Sequence, residues 1–240
     1  MTDDDKIYEV DIQDLLKITF DVFRTTPRGS ALRLDRWGPE EERVVELCDE
    51  AQSIVDVGCG LNLWKQKYGD KLKGIDLSEK EGFPVDYHGD ITTVLREHFE
   101  DNSIDLVLNL GGIQYGGDPL IKKQLQEVYR ILKPGGIIFN RAHFHSIQLE
   151  GRNLLQNDSH TLHYNWTEEK IHRMTEEFDW SLFGEIKVHQ ANRRNRPKEN
   201  FQRLKNVPET RRHYRSMLRQ SDNNTSFHDI FQKRYWEWIK

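Results

Sequence analysis

Between Ser53 and Ala142 short apolar runs alternate with segments of helical spacing, and this alternation constrains the fold more than any other feature. Strands are expected at 53–57, 73–77, near 84–87, 104–110 and 137–142. Helices are expected at 62–68, about 92–99 and 119–132. Parallel strands need crossovers, and helices supply them, so the pattern predicts an α/β, mostly parallel sheet with helices on both faces. The run Ile104-Asp105-Leu106-Val107-Leu108-Asn109-Leu110 is apolar enough to lie at the centre. Lys133-Pro134-Gly135-Gly136 reads as a helix stop. Ligands bind such sheets at the carboxyl ends of the strands.

The flanks are less regular. Residues 7–24 carry apolar positions at helical spacing, and 25–38 hold breakers. A helix runs from Pro39 to about Glu50, with Glu40, Glu41 and Glu42 at the positive end of its dipole. Residues 143–165 read as a long polar loop, and Thr167 opens a capped helix to about Phe178. A strand near 185–191, a basic helical insert at 193–226 and an aromatic strand at 233–240 follow. A helix-length insert between the last two strands suits an antiparallel closing pair. The expectation is one domain over 1–240, with a seven-stranded sheet, an antiparallel last strand and an N-terminal helical extension over 1–52.

Composition excludes several classes. No stretch approaches the ~20 apolar residues of a membrane span. The acidic start, Met1-Thr2-Asp3-Asp4-Asp5-Lys6, has no signal-peptide core behind it. Cys48 and Cys59 make no disulfide framework, and no Cys/His cluster has zinc-like spacing. A reduced, cytoplasmic, metal-free protein is expected. The net charge of −5 gives no general pull toward nucleic acid. The stretch 193–219, however, sets ten lysines and arginines against Glu199 and Glu209. It is either a solvated helix face or a contact for a polyanion such as RNA.

The strand at 53–57 breaks into Gly58-Cys59-Gly60-Leu61-Asn62 before a helix. Bare backbone at such a turn lets a ligand approach closely. Two nucleotide-like ligands fit, a dinucleotide or S-adenosylmethionine. The dinucleotide pattern wants a third glycine where Leu63 stands. At this point the chain resembles the class I S-adenosylmethionine-dependent methyltransferases, which have a Rossmann-like fold. Asp56-Val57-Gly58-Cys59-Gly60 looks like their first motif. Asp76, about 20 residues on, looks like the ribose-binding acid. Gly89-Asp90-Ile91 is similar to the adenine-binding segment, and Ile104–Tyr115 to the fourth-strand motif. Leu132-Lys133-Pro134-Gly135-Gly136 is similar to the signature before the fifth strand. Asn62 departs from a frequent third glycine, but asparagine adopts left-handed conformations at modest cost. Leu108–Gly116 and the terminal Trp-Glu-Trp-Ile-Lys also look like small methyltransferases of tailed bacteriophages, which would place the protein in a host cytoplasm.

The resemblance implies S-adenosyl-L-methionine as cofactor and assigns roles. Asp56 would hold the ammonium of the methionine part, with Gly58 and Gly60 bared for it. Asp76 would accept both ribose hydroxyls. Asp90 would accept the adenine amine, with Ile91 packing on the ring, although Asp90-Ile91-Thr92 also reads as a helix N-cap. Cys59, Leu77, Asn109 and Leu110 complete the expected lining, Cys59 as a small packing residue. Methyl transfer needs donor and acceptor held in line, and a base only if the acceptor must lose a proton. Tyr115, His143 and His145 are weak candidates for that base. Adenine-amine enzymes of nucleic acid carry Asp/Asn-Pro-Pro-aromatic where this chain has Asn109-Leu110-Gly111-Gly112, and neither cysteine follows a proline as in the cytosine-ring enzymes. A small molecule, a protein side chain or an RNA position is left as acceptor. Two other readings stay open: a non-catalytic S-adenosylmethionine-binding or RNA-binding protein of this fold, and an NAD-dependent oxidoreductase.

Overall fold

The computed structural model describes residues 40–77, 84–114, 118–145, 164, 166–190 and 231–240. The expected helix at 7–24, the insert at 193–226 and Tyr115 lie outside them. The described chain runs α1 (Glu41–Glu50), β1 (Ile54–Val57), α2 (Leu63–Tyr68), β2 (Leu72–Asp76), β3 (Tyr87–His88), α3 (Ile91–His98), β4 (Ile104–Asn109), α4 (Asp118–Ile131), β5 (Leu132–His145), α5 (Glu168–Glu177), β6 (Ser181–Gln190) and β7 (Phe231–Ile239). No described helix is long and apolar enough to cross a membrane.

The seven strands form one sheet in the order β3-β2-β1-β4-β5-β7-β6. β1 pairs in parallel with β2 and β4, β2 with β3, and β4 with β5. β7 enters between β5 and β6, antiparallel to both. The expected seven-stranded, mostly parallel Rossmann-like sheet with an antiparallel last strand is what forms. The order reverses between β1 and β4, so the crevice of an open α/β sheet opens above their carboxyl ends.

Alternation along each strand feeds two cores. On one face Val55, Val57, Ile75, Val107 and Ile138 pack under α3, α4 and α5, together with Trp166, Trp236 and Trp238. On the other, Ile54, Leu72, Leu106, Leu108, Phe139 and Tyr235 pack under Val44, Leu47 and Cys48 of α1 and Trp64 of α2. Every β1 residue is buried, as a strand covered on both sides requires. Asp56 is the one charged residue in that strand.

β7 starts at Phe231 rather than at 233, and β5 and β6 also extend beyond their expected limits. β5 continues to His145, because β7 pairs with it through His143↔Lys233 and His145↔Phe231. The segment 143–145 is therefore strand where a loop was expected. β6 begins at Ser181 rather than near 185, since Ser181 pairs with Ile239 and the register slips only between Phe183 and Lys187. Gly184, at φ 67°, sits in that irregularity.

Candidate active site at the carboxyl ends of the parallel strands

The turn after β1 is pinned to β2. The N–H groups of Gly58 and Cys59 both donate to the Ile75 carbonyl, at 2.8 and 3.0 Å. Gly58, Gly60 and Asn62 take left-handed conformations, with φ of 71°, 60° and 51°. The two glycines serve different ends. A Cβ on Gly58 would lie 2.5 Å from Gly112 Cα, and one on Gly112 would lie 2.2 Å from the Val57 carbonyl oxygen. These glycines let the turns after β1 and β4 touch. A Cβ on Gly60 meets nothing within 4 Å, so Gly60 is the residue that faces open space.

Asn62 does the work expected of a tolerant substitute. It is buried, left-handed and the N-cap of α2. Its Nδ2 donates to the Pro84 carbonyl (3.2 Å) and to Asp86 Oδ2 (3.3 Å). Its side chain covers Gly74, where a Cβ would stand 2.4 Å from Asn62 Oδ1. Asp86 also accepts from the Gly74 N–H (2.9 Å) and from Lys65 (2.8 Å), which locks the loop before β3 over β2.

Three carboxylates ring the turn. Asp76, at the end of β2, accepts the Gly60 N–H on Oδ2 at 2.8 Å. Asp56 is 1% exposed, and its Oδ1 is buried with no hydrogen-bond partner. Burial pushes its carboxyl up to about 7; the Arg141 guanidinium opposes the rise and the Asp76 charge adds to it. Asp90 is the N-cap of α3, its side chain accepting from the Thr93 N–H at 3.0 Å. The Gly89 N–H donates to the Asp76 carbonyl (3.0 Å) and draws that cap beside the end of β2. Ile91 is buried in the first turn of α3, and half-buried Leu77 follows Asp76.

The Asn109 amide is engaged within the protein. It is fully buried; its Nδ2 donates to Asn140 Oδ1 (2.9 Å) and its Oδ1 accepts from the Ile113 N–H (2.8 Å). Both ends of the amide thus shape the turn that carries Gly112. The Leu110 carbonyl accepts from the Arg141 guanidinium. Cys59 is buried, and burial together with Asp56, Asp76 and Asp86 raises its thiol pKa, which suits packing and disfavours nucleophilic work. His143 and His145 belong to β5.

Sequence reasoning missed Arg141, Asp86 and the role of Gly112. Arg141 had a visible signal, a charge inside the otherwise strand-like run Ile137–Ala142. So did the Gly111-Gly112 pair, as bare backbone just after an apolar strand. Asp86 had none, because its partners come from Gly74, Lys65 and Asn62 together.

Residues 55–140 match the family model described as a methyltransferase domain. A search of curated proteins finds no match to the sequence. Among solved structures, 1,6-didemethyltoxoflavin-N1-methyltransferase from Burkholderia thailandensis, with bound S-adenosylhomocysteine, aligns at TM-score 0.57 and 11% identity, over 95% of this chain and 88% of that one. A SAM-dependent methyltransferase from Archaeoglobus fulgidus aligns at 0.53 and 13%, over 92% and 98%. The [4+2]-cyclase SpnF aligns at 0.60 and 13%, over 95% and 94%. The fold is the one shared by these methyltransferase structures, and residues 55–140 match the methyltransferase-domain model.

Proposed function

We propose that this chain binds S-adenosylmethionine at the turn after β1 and transfers its methyl group to an acceptor by in-line displacement. The observation that carries the reading is the buried Asp56 carboxylate, which has an oxygen without a partner and lies within electrostatic reach of Asp76. Burial and the Asp76 charge outweigh the Arg141 guanidinium at Asp56, so a cationic ligand group at this turn is favoured. The same charge pattern disfavours the pyrophosphate of a dinucleotide, and buried Leu63 stands where that pattern wants glycine.

S-adenosylmethionine, when bound, supplies an activated methyl on a sulfonium together with a methionine ammonium. Asp56 holds the ammonium, and Gly60 lets the methionine part lie against open backbone. Asp76 takes the ribose hydroxyls while its Oδ2 keeps the Gly60 N–H in place. Asp90 and Ile91 border the adenine. Asn109, Gly112 and Arg141 hold the β4 turn against the β1 turn and so fix the site's width. Both described cysteines are free and buried, in keeping with a cytoplasmic setting.

A second reading, a protein of this fold with another activity, is favoured by one comparison, since SpnF is described as a [4+2]-cyclase. Two measurements separate them. Calorimetric titration should show S-adenosylhomocysteine binding and NAD failing to bind. Radiolabelled S-adenosylmethionine should pass its methyl into one fraction of a cell lysate. Cofactor binding with no label transferred to any fraction would leave the second reading standing, and absence of binding would remove both.

A further inference from the structure

A ring of hydrogen bonds fixes the turn after β4, and one member comes from far along the chain. Trp166 is fully buried, and its indole Nε1 donates to the Ile113 carbonyl at 2.9 Å. The N–H of the same residue, Ile113, donates to Asn109 Oδ1 (2.8 Å). Close by, the Tyr164 N–H donates to the Gln114 carbonyl (2.7 Å). Trp166 is tied on its other side as well, where Arg234 of β7 donates through Nη1 to its carbonyl (2.8 Å). β7 pairs with β5, and Asn140 of β5 accepts from Asn109. The ring therefore closes through β4, its turn, Trp166, β7 and β5.

A plainer role is open to Trp166. It stands just before Thr167, the N-cap of α5, where an apolar residue packs against the fourth residue of the helix, here Ile171. Both belong to one core, and the Trp236 and Trp238 rings lie against Trp166. A phenylalanine would serve that purpose. The indole N–H goes further, because the carbonyl it satisfies belongs to the turn that carries Gly111 and Gly112. Gly112 lies so close to the β1 turn that a Cβ on it would stand 2.2 Å from the Val57 carbonyl oxygen. The β4 turn therefore cannot move toward β1, and an outward swing would withdraw its contact with Gly58. A buried carbonyl without a donor is drawn toward water, so the indole bond opposes that swing.

We infer that Trp166 is a positioning residue for the cofactor site: through Ile113, its indole holds the β4 turn against the β1 turn. The inference rests on the methyltransferase reading and deepens it for that same site. Tyr164 supports the arrangement and is itself held from the surface. Arg173 of α5 donates through Nη2 to the Tyr164 hydroxyl (3.2 Å) and to Asp118 Oδ2 (2.5 Å) at the start of α4.

The test compares two substitutions in the full chain. Trp166→Phe keeps an aromatic ring before the α5 cap and removes the donor. Trp238→Phe removes a matched donor in the same cluster, one whose Nε1 reaches Thr175 Oγ1 (2.8 Å) on α5, away from the turn. Each loses an indole bond and the same side-chain volume, so both should melt lower by a comparable amount. Calorimetric titration should then separate them. Trp166→Phe should bind S-adenosylhomocysteine about fivefold to tenfold more weakly, because binding has to bring the turn back, and Trp238→Phe should stay within about twofold of wild type. Wild-type affinity in Trp166→Phe, or an equal loss in both variants, overturns the inference. A surface pair repeats the comparison should Trp166→Phe fail to fold. Arg173→Ala releases Tyr164, whereas Lys122→Ala breaks another ion pair between α4 and α5, with Glu177 at 2.8 Å. The first should weaken S-adenosylhomocysteine by about twofold to threefold and the second leave its affinity unchanged. Equal affinities in that pair overturn the inference as well. Failure of wild type to bind S-adenosylhomocysteine would sink the methyltransferase reading itself, so the two failures are distinguishable.

Discussion

At the amino ends of β1 and β4, Asp105 accepts from the amides of Gln52 and Ser53 (3.1 and 2.9 Å), the Ser53 hydroxyl (2.9 Å) and the Lys133 amine (2.6 Å). At the carboxyl end of the same sheet, Asp56 is more deeply buried and keeps an oxygen with no partner. Burial works against charge at both. At Asp105 the bonds from Lys133, Ser53 and Gln52 outweigh it and hold the carboxyl below its ordinary range. At Asp56 burial wins, and the carboxyl rises to about 7. A fold spends its hydrogen bonds where a carboxylate only ties strands together. An unspent carboxylate in the interior marks a place where stability has been given up, and such places cluster at functional sites.

The largest effect is expected at the contact between the two carboxyl-end turns. Gly112→Ala would drive a Cβ into the Val57 carbonyl oxygen at 2.2 Å, and backbone on both sides leaves little to yield. A loss of about 3 kcal/mol or more is expected, read as a fall in melting temperature together with lost S-adenosylhomocysteine binding. Gly60→Ala meets no atom, so its cost is the left-handed backbone alone, about 1–2 kcal/mol. Equal melting temperatures for the two variants would break this account of the turn.

Next come the two aspartates, whose stability effects should have opposite signs. Asp105→Ala should destabilise by about 2–3 kcal/mol near neutral pH, through lost charge-assisted bonds. Its folded pKa is depressed, so wild type should lose that advantage as pH falls below about 4. Asp56 has a raised folded pKa, so the native state holds its proton more tightly than the unfolded chain does. Its contribution is full below about 4 and is lost as pH rises through about 7. Asp56→Asn should therefore stabilise the ligand-free protein at pH 8, by on the order of 2 kcal/mol, and flatten that decline. The same variant should weaken S-adenosylhomocysteine by at least about tenfold and abolish the gain in affinity that wild type shows as pH rises through 7. Urea melts and titrations at pH 5 and 8 test both, and an Asp56→Asn protein less stable at pH 8 would reverse the comparison.

Asp76→Ala sharpens it at a smaller scale. Removing the acceptor of the Gly60 N–H frees the turn, and the proposed ribose contact goes with it. Affinity for S-adenosylhomocysteine should fall by about tenfold or more, roughly 1.4 kcal/mol, with little change in melting temperature of the ligand-free protein. Wild-type affinity would take Asp76 out of the site.

The sequence showed the parallel half better than the antiparallel half, and the reason is physical. Strands β1, β2 and β4, the β1 turn and the acids at strand ends are local patterns: apolar runs, glycines, and charges where runs stop. Asp56, Gly60, Asp76 and the Asn62 substitution could be read from their neighbours in the chain. The reach of β5 to His145 and the start of β6 at Ser181 depend on β7, whose partners lie far away in sequence. Asn109 looked like lining because it closes an apolar strand; only Asn140 and Ile113 show that its amide is engaged within the protein. Trp166 meets Ile113 through the tertiary fold alone.

The smallest expected effect falls on Asp90, which the motif and the fold explain differently. As N-cap of α3 it accepts the Thr93 N–H, and Asp90→Ala should cost about 1 kcal/mol for that bond alone. Asp90→Ser retains a capping oxygen and removes the carboxylate that would meet the adenine amine. If both roles are real, the serine variant should melt near wild type yet bind S-adenosylhomocysteine about threefold to tenfold more weakly. Inosine-type analogues, which lack the amine, should then bind both proteins alike. Should the serine variant bind S-adenosylhomocysteine as wild type does, Asp90 belongs with Asp105, a carboxylate used up by the fold, and Asp56 and Asp76 carry the ligand without it.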